Sequence, residues 1–135
     1  MNPALISGLG YPESIAVSGS DLFVGNEGAT LGAGTIGEYT TSGATVNPSL
    51  ISGLNDPGAI AVDGSNLFVT NSLAGTIGEY TTSGTTVNAA LISGLNGPGA
   101  IAIVPTVAPV PEASTLTLLG TALLGLVAIK RKLVL

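Results

Sequence analysis

A repeated glutamate–tyrosine pair is the part of this sequence best equipped for chemistry. Glu38 and Tyr39 recur as Glu79 and Tyr80, inside a ten-residue stretch that occurs twice unchanged. Paired carboxylates could bind a cation or act as general acid and base, but we expect them to lie at a strand edge, exposed or bonded to backbone N–H groups. Tyr beside Thr and Ser could present a carbohydrate-binding face, although a strand aromatic ordinarily packs in a core. All four residues are therefore weak ligand candidates.

Two asparagines also recur, at the end of the second strand of each unit. Asn26 and Asn71 each carry an amide oxygen, a group that can contribute one ligand to a Ca²⁺ site. No acidic residue repeats beside them, because Asp63 aligns with Ser18 and Asp56 aligns with a tyrosine. We therefore predict that the asparagines cap the following turn and that the repeats hold no metal.

The composition excludes several kinds of chemistry. The sequence has no His and no Cys, which removes the commonest general base, the Ser-His-Asp triad and all thiolate chemistry. The Gly-rich stretch 25–37 lacks the Gly-Lys-Ser/Thr of a phosphate loop and leads into a strand. We predict a protein that is not an enzyme and that carries no cofactor.

The charges are few and segregated. The 135 residues include 8 acids and 3 bases, and the bases are consecutive, from Lys130 to Lys132. A repeat region without Lys or Arg cannot neutralise phosphates, so nucleic-acid binding is excluded. Low charge with 20 glycines favours short strands and tight turns over a helical bundle.

Internal repetition is the strongest signal for the fold. The run Leu-Ile-Ser-Gly-Leu occurs at 5–9, 50–54 and 91–95, so the period is 45 residues and then 41. The difference is a four-residue insertion between Asn26 and Gly34, which predicts a surface loop there.

Each unit is predicted to contain four short strands. In the second unit they cover 59–62, 67–70, 76–81 and 86–92, and residues 63–66 form the first turn. A preceding fourth strand is predicted at 3–7 and a following first strand at 99–104. The sequence thus indicates an all-β region over 1–104, with no long helix.

The unit resembles the NHL-type repeat. Residues 57–64 give its Pro-Gly turn and apolar strand, and 66–71 give its aromatic-bearing strand, but the charged positions usual in that family are mostly absent. The resemblance implies a β-propeller, usually a ring of about six four-stranded blades. Units at about 10–54 and 55–95 would make a partial propeller of about two blades, incomplete at both ends. A β-solenoid or a flat β-layer array is the alternative, although its period would normally be shorter.

The C-terminal part has a linker and an apolar segment. Three prolines fall within 105–112, which is typical of an extended linker. Residues 113–129 carry no charge, and as a helix they would be apolar on all sides and about 26 Å long, near the minimum for a membrane span. The basic cluster that follows would stay in the cytoplasm. We predict a transmembrane helix in 113–135 with the repeats on the other side of the membrane.

This tail resembles a PEP-CTERM sorting signal. Such signals combine Pro-Glu-Pro, a transmembrane helix and a basic end, and here the corresponding residues are Val110, Pro111 and Glu112, then Lys130, Arg131 and Lys132. The chain departs at Ala113, where Pro is usual, and it continues to Leu135. The resemblance implies processing by an exosortase in a Gram-negative bacterium that makes exopolysaccharide. The protein would be anchored transiently in the inner membrane and then reach the cell surface or the extracellular space. A plain membrane anchor is the alternative.

These patterns together predict an exported, non-catalytic protein of the cell envelope or extracellular matrix. Its repeats would act as a scaffold or as a binding surface for exopolysaccharide or protein. One alternative is a fragment of a propeller lyase or lactonase whose active-site blades are missing, and another is an inert fragment. Met1 aligns with Val46 and Val87, and residues 1–20 do not read as a signal peptide, so we expect a longer reading frame upstream.

Overall fold

Two four-stranded antiparallel sheets make up the part of the chain that the computed structural model describes, residues 4–104. Each sheet is a simple meander in which consecutive strands are neighbours. No helix occurs in this range, so the all-β prediction is confirmed for it. The first sheet contains β1 (Pro12–Ser18), β2 (Asp21–Asn26), β3 (Gly34–Thr40) and β4 (Thr45–Leu54). The second contains β5 (Pro57–Asp63), β6 (Asn66–Asn71), β7 (Thr76–Thr81) and β8 (Thr86–Ile92).

Glycine-containing turns set the register of the strands. A two-residue turn joins β5 to β6, with Gly64 at φ 57°, and Asp63 pairs with Asn66 across it. Gly19, at φ 60°, makes the same turn between β1 and β2. Residues other than glycine rarely adopt such positive φ values. The predicted turn at 63–66 is therefore confirmed.

The insertion between the units is a surface loop, as predicted. Residues 27–33 join β2 to β3, whereas only residues 72–75 join β6 to β7. Most of the longer loop is exposed, including the side chain of Leu31. The sheet ladders on either side keep the same register in both units, because the extra residues lie outside them.

The main core lies between the two sheets. Strand β5 packs against β1, β2 and β3 of the first sheet. The resulting cluster combines residues of both units, all almost fully buried. They are Phe23, Ile36, Ile51 and Leu54 from the first sheet, and Ile60, Leu67, Val69 and Tyr80 from the second. Most of the buried apolar residues of the described chain therefore belong to a cluster that the two units share.

Two segments predicted as strands are not strands. Residues 4–7 and 99–104 belong to no strand of the described structure, so the strands predicted at 3–7 and 99–104 are wrong for these residues. The sequence pattern is that of a strand, but a strand needs a neighbour for its backbone N–H and C=O groups. The predicted linker at 105–112 and helix within 113–135 lie outside the described residues.

A strained residue precedes the first strand of the first sheet. Tyr11 has φ 54°, and its counterparts Asp56 and Gly97 have φ 60° and 57°. The backbone at this position is held by a hydrogen bond from Glu27 N to Tyr11 O, and Ser72 N bonds Asp56 O in the same way. Residues with bulky side chains rarely adopt a positive φ. Of the three corresponding residues, only Gly97 is a glycine.

Replacing Tyr11 by glycine is therefore expected to stabilise the protein. The Tyr11 side chain is 67% exposed, so its removal forfeits little packing. Relief of the positive φ should raise the free energy of unfolding by about 1 kcal/mol, or the melting temperature by roughly 4–8 °C. Thermal denaturation of Tyr11→Gly beside Tyr11→Ala measures this, because alanine removes the ring but keeps the strain. A glycine variant no more stable than the alanine variant would contradict the prediction.

Candidate functional site

The four candidate residues do not converge on one site. Glu38 and Tyr39 are adjacent on β3, and Glu79 and Tyr80 are adjacent on β7. Neighbouring residues of a strand point to opposite faces of the sheet. Accordingly both tyrosines are buried, whereas both glutamates are partly exposed. The buried rings leave no open aromatic face for a sugar to stack on.

The two glutamates differ in their partners. Glu79 Oε1 accepts a hydrogen bond of 3.0 Å from Asn66 Nδ2, at the start of the neighbouring strand β6. The residue that corresponds to Asn66 in the first unit is Asp21. Burial, and secondly the negative charge of Asp21, raise the pKa of Glu38 above its ordinary value. A hydrogen-bonded pair in one unit is thus a like-charge pair in the other, so the two recurring glutamates have different surroundings.

Asp21→Asn is expected to stabilise the protein at neutral pH. Because the pKa of Glu38 is raised in the folded protein, the fold favours the protonated side chain. The stability that Glu38 contributes is therefore complete at low pH and is lost as the pH rises through the pKa of the folded state. Asparagine removes the second charge and can donate to Glu38, which should add about 0.5 kcal/mol at pH 7 and nothing below pH ~4. Denaturation at the two pH values measures this. The reverse change, Asn66→Asp, should lower the free energy of unfolding at pH 7. A higher free energy of unfolding in both variants would contradict the argument.

A similar small pocket occurs in each unit. In the first it has a volume of about 260 Å³, and in the second about 240 Å³. Both are walled by the Gly-Leu segment that precedes the unit, by the end of the second strand and by the third and fourth strands. The polar lining residues that repeat are Asn26, Thr35 and Tyr39 in the first unit, and Asn71, Thr76 and Tyr80 in the second.

Each pocket contains a buried asparagine with an unused acceptor. Asn26 and Asn71 are buried, and the Oδ1 atom of each has no hydrogen-bond partner. Asn26 Nδ2 donates to Val24 O at 3.5 Å, on its own strand, so the side chain does not cap the following turn as we had expected. The two Oδ1 atoms can accept a hydrogen bond from a water molecule or from a ligand hydroxyl or N–H group.

The phenol of the second pocket stays neutral over the physiological pH range. Burial raises the pKa of Tyr80, and a hydrogen bond with the Asn71 side chain opposes this only in part. A neutral phenol is both a donor and an acceptor. The pocket therefore offers uncharged hydrogen-bonding groups.

Three carboxylates that sequence reasoning had not grouped lie together at the junction of the units. The side-chain oxygens of Glu13, Glu27 and Asp56 are within 4.8 Å of one another. They come from β1, the long loop and the turn before β5, so no repeat or local motif marks them. Their proximity follows from the packing of the two sheets. Exposed carboxylate groups of this kind are common, and we assign no metal to them.

The sorting residues lie outside the described part of the chain. They are Val110, Pro111, Glu112 and the basic cluster 130–132. Among residues 4–104, no helix is long and apolar enough to cross a bilayer.

Comparison with known proteins identifies the tail. A family model described as the PEP-CTERM protein-sorting motif matches residues 109–132. The match covers the Pro-Glu residues, the uncharged segment and the basic cluster, so the predicted sorting motif is confirmed. No curated protein and no solved structure matched the chain. The motif implies an exported protein of a Gram-negative bacterium that is recognised by an exosortase, anchored transiently in the membrane and then present at the cell surface.

Proposed function

We propose that this chain is an exported, non-catalytic protein of the cell envelope or extracellular matrix. Its tail, 105–135, serves as the exosortase sorting signal, and its repeats serve as a scaffold or binding surface. The match of the sorting motif to residues 109–132 is the observation that carries the proposal. Enzymes and structural proteins can both be exported, so the non-catalytic role is supported separately by the repeats.

The repeats support a scaffold in two ways. Their buried side chains join one sheet to the next, and Glu79 is held by a hydrogen bond from Asn66, although its counterpart Glu38 lies near the carboxylate of Asp21. We further propose that the two sheets are blades of a propeller-type array of the NHL kind. Four-stranded meanders from a repeated unit, packed through the inner strand β5, support this arrangement.

The repeated pocket supports binding of an uncharged, hydroxyl-bearing or amide-bearing partner. Each copy places an unpaired Asn Oδ1 beside a Thr and a Tyr. Two similar pockets in successive units would bind successive groups of a regular polymer. An exopolysaccharide of the matrix, or an extended protein segment, has this chemistry.

A reporter fusion tests the sorting proposal. Residues 105–135 attached to an exported reporter should cause membrane anchoring and then cleavage near Pro111-Glu112, but only in a host with an exosortase. The matched control replaces Lys130, Arg131 and Lys132 by glutamine, which should weaken retention or reverse the orientation, because basic residues hold the cytoplasmic end. The products are followed by fractionation and by mass spectrometry of the released reporter. Identical behaviour with and without exosortase would reduce the tail to a simple anchor.

The second candidate is a fragment of a propeller lyase or lactonase. The recurrence of Glu38 and Glu79 is the one feature that favours it. Because the active-site blades of such an enzyme would be missing from this chain, the upstream reading frame tests this candidate: further blades with His and acidic residues at inner loop positions would favour it. In the purified chain we expect no turnover, and a saturable hydrolase or lyase activity that Glu38→Gln or Glu79→Gln abolishes would overturn the non-catalytic proposal.

A further inference from the structure

The peptide bond that leads into the second sheet joins an aspartate to a proline. Asp56 lies between β4 and β5, and Pro57 is the first residue of β5. The corresponding bonds in the repeat are Tyr11–Pro12 and Gly97–Pro98, so only the middle copy has a carboxylate beside the proline. Acid breaks an Asp-Pro bond more readily than other peptide bonds. The proline nitrogen is a basic leaving group, and the aspartate carboxylate can attack the carbonyl carbon of its own residue.

The carbonyl group of this bond accepts a hydrogen bond from a fixed donor. Ser72 N donates to Asp56 O at 2.9 Å. Ser72 begins the loop after β6, and the pairing of Pro57 with Asn71 across β5 and β6 fixes its position. An N–H group held in advance at a carbonyl oxygen stabilises the negative charge that develops there when the carbon is attacked.

Two further carboxyl groups lie beside Asp56. Side-chain oxygens of Glu13, from β1, and of Glu27, from the long loop, are within 4.8 Å of each other and of an oxygen of Asp56. Residues 4–104 contain no Lys, Arg or His, so no basic side chain of the described region neutralises the three groups. In mildly acidic solution such a group contains both a carboxylate, which can attack, and a carboxylic acid, which can donate a proton.

Solvent reaches the same place. A groove of about 190 Å³ is lined by Glu27 and Asp56, together with residues 28–31 of the long loop and Leu73. Asp56 is half-buried, whereas the ring of Pro57 is fully buried. Water therefore meets the aspartate from the groove, while packing holds the proline ring in place.

We propose that this chain cleaves its own Asp56–Pro57 bond in mildly acidic solution. An oxygen of the Asp56 side-chain carboxylate attacks the main-chain carbonyl carbon of Asp56, and the bond from that carbon to Pro57 N breaks. Glu13 or Glu27 gives its proton to the leaving nitrogen. The two carboxyl carbons of Asp56 are then joined through oxygen as a five-membered cyclic anhydride. One water molecule opens the anhydride, and its two protons restore the glutamic acid and charge the new amine of Pro57.

The two products, residues 1–56 and 57–135, are expected to stay together. Cleavage between β4 and β5 removes no side chain of the core that the sheets share. That core includes Phe23, Ile36 and Ile51 of the first product, and Leu67 and Val69 of the second. The cut chain should therefore keep its size in gel filtration and separate only on a denaturing gel. Each chain reacts once and turns over no substrate, so self-cleavage is compatible with a scaffold role.

Timed incubation of the purified full chain in detergent tests the proposal, with mass spectrometry to identify the broken bond. Cleavage should be fastest near pH ~4, where carboxyl side chains are about half protonated, and much slower at about pH 7. An unfolded chain retains the general acid lability of an Asp-Pro bond, so the same incubation in guanidinium chloride is the reference. The folded chain should react at least about tenfold faster, because the donor and the neighbouring acids act only in the fold.

Three variants separate the roles of the groups. Asp56→Asn removes the attacking carboxylate and should abolish the cleavage. Glu13→Gln combined with Glu27→Gln removes the proton donors and should slow the cleavage by about tenfold or more. Ser72→Ala is the matched control, because it keeps the backbone N–H that bonds Asp56 O and should cleave like the unaltered chain. Circular dichroism at the same pH checks that each variant is folded.

A folded chain that is cleaved no faster than the unfolded chain would overturn the proposal. So would cleavage that persists in Asp56→Asn, or an unchanged rate in the folded double glutamine variant. The expected fragments end at residue 56 and begin at residue 57, whereas sorting would cut near Pro111-Glu112. Their masses distinguish the two events, so neither result decides the other.

Discussion

Replacement of Phe23 by alanine is expected to bring the repeat region close to unfolding. The Phe23 side chain is almost fully buried in the core between the sheets. Loss of a buried phenylalanine ring removes its transfer free energy and leaves a cavity, at a cost of about 3–5 kcal/mol. Domains of this size are stable by only about 5–15 kcal/mol, so most of the stability would be lost. Chemical denaturation followed by circular dichroism measures the change.

The repeat provides its own control for this experiment. Phe68 occupies the same position in the second sheet but is only partly buried, because residues 4–104 form no third sheet to cover it. Phe68→Ala should cost about 1–2 kcal/mol, in line with its smaller burial. Equal losses from the two variants would mean that the interface between the sheets is not the main core.

Replacement of Gly78 by alanine is expected to destabilise the protein by about 2 kcal/mol, through overpacking. A Cβ atom at Gly78 would lie 2.7 Å from both Cε2 and Oη of Tyr80. The Tyr80 ring lies over the glycine two residues earlier on the same strand, and it is buried in the core. The ring cannot move aside without disturbing Leu67 and Val69, so the strand must distort. Gly37 and Tyr39 repeat the arrangement in the first unit, with the same ring atoms at 2.8 Å.

Gly10→Ala is the matched control for Gly78→Ala. A Cβ atom at Gly10 would meet nothing within 4 Å, and the residue does not have a positive φ. Its substitution should be neutral or slightly stabilising, since alanine reduces the conformational freedom of the unfolded chain. Urea denaturation of both variants compares them. A neutral Gly78→Ala variant would show that the Tyr80 ring is not fixed over the strand.

The strands and turns of the repeat could be predicted because they depend on local sequence. Turn residues such as Gly64 and the short runs of β-branched and apolar residues specify each hairpin without reference to the other unit. The segments 4–7 and 99–104 could not be judged in this way, because a strand exists only where a second strand pairs with it. Their sequence is that of a strand, but they are not part of either described sheet.

For the candidate site residues, too, the local pattern was predictable and the packing was not. Recurrence of Asn26 and Asn71 was visible in the sequence, but their burial and their unused Oδ1 atoms depend on the packing of the preceding segment. The cluster of Glu13, Glu27 and Asp56 has no periodic signal, because two units contribute to it unequally. The sequence pattern predicts the strands and turns, but it does not predict the contacts between them.

The position of the core between the sheets also governs cooperativity. In a linear array of units, stability is the sum of the intrinsic free energy of each unit and a coupling free energy for each nearest-neighbour contact. Here the coupling is the larger part, since the most deeply buried side chains of both sheets meet in a single cluster. The two sheets should therefore melt together in one transition, and an isolated unit should not persist. Each further unit joined in register would add one more coupling free energy, so stability should rise with every unit added.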